Sequence, residues 1–172
     1  MGDRYRELKH SSVGTGVAVA FLSALLVAFT FLLASCVRRA EYERIRTEGD
    51  AFVATISDTD KIVVDEARLQ ETPRAIEGRE QSAVSVRSSL GTTTAVQYFR
   101  RASLVATDRF DESGRLARRD LFDAAGRPRV RVFYGPNGDQ YLVQYVDTKG
   151  MVLYANVIGM PFTVPRLLYP SS

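Results

Sequence analysis

The chain has 172 residues, 45% hydrophobic and 25% charged, with nine Phe and eight Tyr, enough apolar material for one modest domain beyond an N-terminal segment and too much for a disordered chain. A net charge of +3 is too small to argue for nucleic acid. Its one cysteine, Cys36, rules out an internal disulfide, and its one histidine, His10, leaves no Ser-His-Asp, Cys-His or Cys/His zinc constellation.

A flank over residues 1–12 precedes residues 13–37, a run of 25 residues without a charge. About 20 such residues cross a hydrocarbon core as a helix, so the run reads as a membrane segment. It is either a retained signal anchor, stopped at the headgroups by Arg38 and Arg39, or a leader that is removed. Leu33-Ala34-Ser35-Cys36 resembles the lipobox of bacterial lipoproteins. That resemblance implies cleavage before Cys36 and a lipid on its sulfur. N-myristoylation is excluded, because Arg6 stands where the motif needs Ser or Thr. Arg4, Arg6 and Lys9 before the run nearly balance Arg38, Arg39, Arg44 and Arg46 after it, so the positive-inside rule does not orient it. Both fates place the C-terminal domain outside the cytoplasm, periplasmic or extracellular. Gly16, Ala20, Ala24 and Ala28 recur every four residues, a small-residue stripe of the kind that packs helices in lipid or is simply alanine-rich. As a packing stripe it implies a homo-oligomer or a membrane partner.

Residues 38–60 read as a short juxtamembrane helix and linker. Tyr42, Ile45, Gly49, Phe52 and Ile56 fall on one stripe at spacings of three and four, and Gly49 weakens the helix by about 1 kcal/mol relative to Ala. A β-rich domain follows over residues 61–158. Residues 61–65 and 82–88 read as strands, residues 66–80 as a polar connection interrupted by Pro73, and residues 89–94 as a turn at Gly91.

From residue 98 to 157 a period of twelve takes over. Gly114, Gly126, Gly138 and Gly150 stand twelve apart, each four residues after Phe110, Phe122, Tyr134 or Val146. Tyr98 and Ala102 form a degenerate first copy. The units FDESGRL, FDAAGRP, YGPNGDQ and VDTKGMV predict polar turns with glycine at positive φ, joined by strands rich in β-branched and aromatic residues. Folding at Asn137-Gly138 sets Val132 opposite Tyr141 and Val130 opposite Val143. Folding at Thr148-Lys149 sets Tyr145 opposite Val152 and Val143 opposite Tyr154. The buried face then holds Val130, Val132, Tyr141, Val143, Tyr145, Val152 and Tyr154. Folding at Ala124-Ala125 sets Asp120 beside Arg129 as a solvated ion pair of little worth. FDESGRL and FDAAGRP resemble the YD repeat turns of bacterial Rhs-type proteins over residues 110–128, which implies a repetitive antiparallel sheet and carries over no catalytic residue. The tail at 159–172 contains three prolines, which bar it from a central strand and suit it to lie over a face or edge of the sheet.

The fold class is therefore mostly β (α+β): a transmembrane helix, a short helix, and an antiparallel meander of six or seven strands. Paired carboxylates remain the one route to catalysis, through Asp58, Asp60, Asp65 and Glu66 or Asp111 and Glu112, and turn chemistry accounts for them better. Arg115, Arg118, Arg119, Arg127, Arg129 and Arg131 form either a patch for an anionic partner or a solvated face mixed with Asp120 and Asp123. No cofactor and no metal are expected. The functional expectation is a membrane-anchored, non-catalytic binding or scaffold component of a cell-envelope assembly, whose partners are membrane lipid and other envelope proteins. A lipoprotein lipidated at Cys36 that binds a soluble or cell-wall ligand is the second reading, and a carboxylate-based hydrolase the third.

Overall fold

The computed structural model describes residues 3–159, with side chains from Val19 onward. The proline-containing tail beyond Gly159 and the side-chain surroundings of position 16 lie outside the described residues. Contacts divide the chain into two units, Met1–Glu41 and Tyr42–Ser172.

A single helix, α1 (Asp3–Thr55), runs through both the expected span and the juxtamembrane helix, which the sequence leaves free to continue the span or to pack on the domain. Nothing local would break it: the first proline is Pro73, and Gly49 is the only glycine between Gly16 and the end of the helix. In the first unit its side chains from Val19 to Val37 are exposed, and the window there reaches a mean hydropathy of 2.4. By length and composition this helix can cross a membrane. Two of its hydroxyls bond back to the helix, Ser23 Oγ donating to Val19 O at 2.8 Å and Thr30 Oγ1 to Val27 O at 2.7 Å, which spares them an outside partner.

The second unit joins the last turns of α1 to an eight-stranded sheet whose strands lie in chain order: β1 (Lys61–Asp65), β2 (Gln81–Arg87), β3 (Thr93–Arg100), β4 (Ser103–Phe110), β5 (Leu116–Phe122), β6 (Pro128–Tyr134), β7 (Gln140–Val146) and β8 (Val152–Val157). The sheet is mixed. β1 runs parallel to β2, against the expectation of a wholly antiparallel meander of six or seven strands. The reason lies in residues 66–80, expected to be a plain polar connection. They fold as a 3-10 segment (Glu66–Glu71) and a short helix, α2 (Thr72–Ala75), with Pro73 in its first turn, and so supply the dozen or more residues that a parallel crossover needs.

Five of the six hairpins share one turn. In residues 88–92, 111–115, 123–127, 135–139 and 147–151 the first N–H donates to the fifth carbonyl, and the fourth residue donates back to the first carbonyl. That fourth residue is Gly91, Gly114, Gly126, Gly138 or Gly150, with φ between +71° and +83°. This is a type I turn closed by a left-handed glycine. The leading aspartate sets it in three cases. Oδ1 of Asp111, Asp123 and Asp147 each accepts from the backbone N–H groups two and four residues on, at 2.8–3.0 Å. The β3–β4 connection at Tyr98 and Ala102, expected to be a degenerate copy, is a different turn. There Arg101 and Ala102 both take positive φ (47° and 65°) in a two-residue loop, held by Arg101 donating to Glu80 through backbone and guanidinium.

Register departs from the expected one by two residues in each later hairpin. Val132 faces Val143, Tyr145 faces Tyr154, and Asp120 faces Arg131 rather than Arg129. After Phe122 and Val146 one residue comes from the three-residue loop and one from a bulge beside it, whereas a fold centred on Asn137-Gly138 itself pairs Val132 with Val143, so the expected pairing with Tyr141 is a miscount there. A shift of two preserves which side chains share a face. Val130, Val132, Val143 and Tyr145 are accordingly buried together. Tyr141 is drawn out at the bulge to meet Phe133 (ring centroids 6.3 Å apart), and Val152 and Tyr154 on the edge strand are exposed.

Residues 42–55 of α1 cross this face obliquely. Tyr42 packs edge-on against Tyr145 of β7 at 5.4 Å, Gly49 lies over Leu121 of β5, and Phe52 lies under the Arg100 guanidinium of β3 at 4.5 Å. Gly49 is required there, since a Cβ at this position would stand 2.6 Å from Leu121 Cδ2. On the opposite face Ile76, beside α2, covers Val64 and Val84, leaving β4–β8 uncovered among the described residues.

Gly49→Val should therefore lower stability by about 1–3 kcal/mol through overpacking, and Leu121→Ala should cost less in that background than in the wild-type chain. Denaturant midpoints of the full chain in mild detergent give this coupling; strict additivity would contradict the close approach. Asp111 offers a second check. The Ser113 hydroxyl and then the Arg115 backbone N–H hold its pKa at about 2, below 3.8. A lowered folded pKa means stability present above the unfolded value and lost as pH falls through the folded one. Asp111→Asn should keep the turn but flatten the melting temperature between pH 4 and pH 2 relative to wild type.

Candidate functional site

The uncovered face is organised in rows that run across the strands. One row reads Gln97, Thr107, Asp120, Arg131, Gln144; the next reads Ala95, Arg109, Arg118, Phe133, Leu142. Asp120, only 5% exposed, is the one acid in these rows. It accepts from Arg118 Nη2 at 2.9 Å, with Arg109 Nε at 3.5 Å and Arg131 Nε at 3.8 Å. The pairing of Asp120 with Arg129, expected to be solvated, is thus replaced by a buried carboxylate facing three guanidiniums. Three guanidiniums face one carboxylate, and both Arg118 Nε and Asp120 Oδ1 are buried with no hydrogen-bond partner among the described residues.

Beside this cluster, at the end of the sheet that carries the turns 111–115 and 135–139, is a cavity of about 360 Å³. Phe133, Tyr141 and Leu116 supply its apolar wall, and Arg109, Arg115 and Arg118 its polar rim. Its size is that of a small-molecule site.

The six arginines singled out in the sequence do not form one patch. Arg118 and Arg131 flank Asp120 on the uncovered face. Arg115 and Arg127 fold back onto the aspartates of their own turns, Asp111 at 3.2 Å and Asp123 at 3.0 Å. Arg129, a bulge residue, lies under α1 with Nη2 donating to the Tyr42 hydroxyl at 3.3 Å. Arg119 lies on the helix-covered face in a buried network. Its guanidinium binds both oxygens of Asp108 (2.6 and 2.8 Å) and reaches Asp50 of α1 at 2.9 Å, while the Tyr98 hydroxyl donates to Asp108 at 3.1 Å. Burial opposes the Arg119 charge, but hydrogen bonds and charge from Asp108, then Asp50, hold its pKa above the usual value. Burial, then the Asp108 charge, raises Tyr98.

The candidate hydrolytic acids do not converge. Asp58 is hydrogen-bonded by Lys61, and Asp60 by the Ser57 hydroxyl and backbone; both have lowered pKa values. Asp111 is lowered too. That is the wrong direction for a general acid at neutral pH. Among the described residues no cluster of three His, Cys, Asp or Glu could hold a metal. Cys36 is an exposed free thiol on α1, and Ala20, Ala24 and Ala28 are exposed on the same helix. Sequence reading missed Arg109, Phe133 and Tyr141 as neighbours. Alternation alone places Arg118 and Asp120 on one face, but joining them to β4 and β6 requires the bulges.

Arg119→Met would leave Asp108, 3% exposed, without its counter-ion, at a cost of about 3–5 kcal/mol at pH 7. An unpaired buried carboxylate has a raised pKa, so the deficit against wild type should shrink as pH falls from 7 towards 4. Parallel denaturation curves across that range test this. A deficit independent of pH would assign the loss to packing alone.

Neither protein-family models nor curated proteins give a match to this chain. Some solved structures share part of its backbone course. A GtfA/B complex bound to UDP and GlcNAc matches with a TM-score of 0.37 and 19% identity over 41% of this chain and 17% of that one. TarM matches at 0.39 and 9% identity over 45% and 15%. A point mutant of S. aureus TarM in complex with Fondaparinux, alpha-GlcNAc-glycerol and UDP matches at 0.36 and 10% over 66% and 26%. The chain spans about a quarter or less of the length of each. Likeness at this level assigns neither a family nor an activity.

Proposed function

We propose that the protein is a membrane-anchored, extracytoplasmic, non-catalytic β-sheet module that binds or scaffolds other components of a cell-envelope assembly. The observation that carries this reading is the unbroken α1: the helix that is without a charge over residues 13–37 goes on to supply Tyr42 and Phe52 to the core of the sheet domain. An anchor that is retained is joined in this way to the domain without an intervening loop. Residues 38–60 act as the juxtamembrane link, and residues 98–157 as tandem hairpin units of twelve residues that extend the sheet strand by strand. Partners are membrane lipid and other envelope proteins, and a second copy through Gly16, Ala20, Ala24 and Ala28.

The lipoprotein reading is kept as the alternative because Cys36 is exposed at the end of Leu33-Ala34-Ser35. Cleavage there would leave residues 36–55 free to form the same helix over the sheet.

The full chain expressed in a bacterial host separates the readings. An intact mass that includes the N-terminal residues, retention in the membrane after alkaline carbonate, and no change in either for Cys36→Ser support the anchor. Loss of residues 1–35 with labelled palmitate on Cys36 overturns it in favour of the lipoprotein, and release into the soluble fraction sinks both.

A further inference from the structure

The geometry points to the 360 Å³ cavity on the uncovered face as a binding site for a small organic anion: a carboxylate, phosphate or sulfonate head on an aromatic or cyclic body. This deepens the binding role proposed above and rests on it.

Three observations converge. First, cation charge exceeds anion charge at the rim. Arg109, Arg115 and Arg118 line the cavity with Asp111 as the only acid, and Asp120 behind them is shared with Arg131 as well. Second, the donors are not used up. Arg109, with its side chain 58% exposed, only approaches Asp120 at 3.5 Å. The Arg115–Asp111 pair is in a solvated turn, where exchange of one oxyanion for another costs little. A guanidinium fork presents paired N–H groups to a planar or tetrahedral oxyanion, which suits an anionic head better than a neutral one. Third, the wall opposite the rim is aromatic. Phe133 and Tyr141 meet at 6.3 Å with their planes tilted by 50°, and Leu116 lies alongside. A bare inorganic ion would leave that surface wet, and a neutral ring would leave the guanidiniums unanswered. A ring carrying an anion satisfies both.

The bulge between Phe133 and Tyr134 makes the site possible. Without it Tyr141 would point to the helix-covered face with Val143 and Tyr145; with it the ring turns towards Phe133.

Phenyl phosphate is a suitable probe, with inorganic phosphate and phenol as its two halves, titrated calorimetrically into the purified full chain in mild non-ionic detergent. Phenyl phosphate should bind about tenfold or more tighter than either half. Arg109→Gln and Phe133→Leu should each weaken it about tenfold, with thermal unfolding confirming that both variants are folded. Arg115→Gln, in an exposed turn, is the reserve should either fail. Arg101→Gln, in the β3–β4 turn and outside the cavity lining, should leave affinity unchanged. Equal binding of phenyl phosphate and inorganic phosphate, equal affinity in wild type and Arg109→Gln, or no heat at millimolar probe each overturns the site. The readout uses purified protein, so its failure is independent of the carbonate and mass experiments that decide anchoring.

Discussion

A single-layer sheet of eight strands has two faces to keep from water, and the described chain has only residues 42–55 of α1 to cover most of one of them. The structure depends on how that short helical segment is seated. Seating it requires close approach, which Gly49 permits over Leu121, and it requires a definite rotation and slide, which apolar packing alone does not specify. The polar ties do specify them. The Tyr42 hydroxyl donates to Val146 O at 2.9 Å, Arg46 to Gln140 at 2.6 Å, and Arg119 bridges Asp50 of the helix to Asp108 of the sheet. Each tie falls on a successive turn of the helix, so a slip of one turn would break all three and leave the Arg119–Asp108 pair without Asp50. An ion pair this deep contributes little net stability against an apolar replacement, yet it penalises every wrong docking heavily.

The turns contribute in a different way. From β4 onward a repeated five-residue turn with glycine fourth closes each hairpin with the same two backbone bonds and adds a bulge to the strand that follows, so each imparts the same offset. Identical offsets allow one face to stay apolar across β4–β7 while the other collects arginine. The third turn shows how much of this is backbone. Gly135 replaces the aspartate, yet its N–H still donates to Asp139 O at 2.8 Å with Pro136 and Gly138 setting the φ values.

Much of this was legible in the chain. The stripe Tyr42, Ile45, Gly49, Phe52, Ile56 has helical period and lands on the sheet, and the glycines of the later turns stand where positive φ is needed. Alternation also places Val130, Val132, Val143 and Tyr145 on one face. Alternation has period two, so it survives a register error of two. Pairing does not survive it, and here the reading went astray: Asp120 belongs with Arg131, not Arg129. The bulges that cause the offset leave no residue signature beyond the glycine itself. The parallel entry of β1 was equally hidden, because it depends on residues 66–80 folding into a crossover, a tertiary outcome that Pro73 reads as an interruption. The Arg119–Asp50 bridge joins residues 69 apart and could not be read from either neighbourhood.

These constraints also bear on the binding site proposed above. Its buried titratable groups are already committed: Asp108 to Arg119 and Tyr98, Asp123 to its turn, Tyr145 to Glu43 at 2.7 Å. The lowered acids Asp58, Asp60 and Asp111 are tied to hydroxyl, backbone or lysine donors. The exception to this thrift is on the uncovered face, where three guanidiniums answer to one carboxylate. Fixed positive charge that exceeds its internal partners, set beside aromatic surface, can neutralise an incoming anion without itself changing protonation, as the anion site proposed above requires. Rigidity favours the same conclusion: the arginines rise from three adjacent strands whose spacing is locked by the sheet, so the donors are held in place before a ligand arrives and little ordering cost remains on binding.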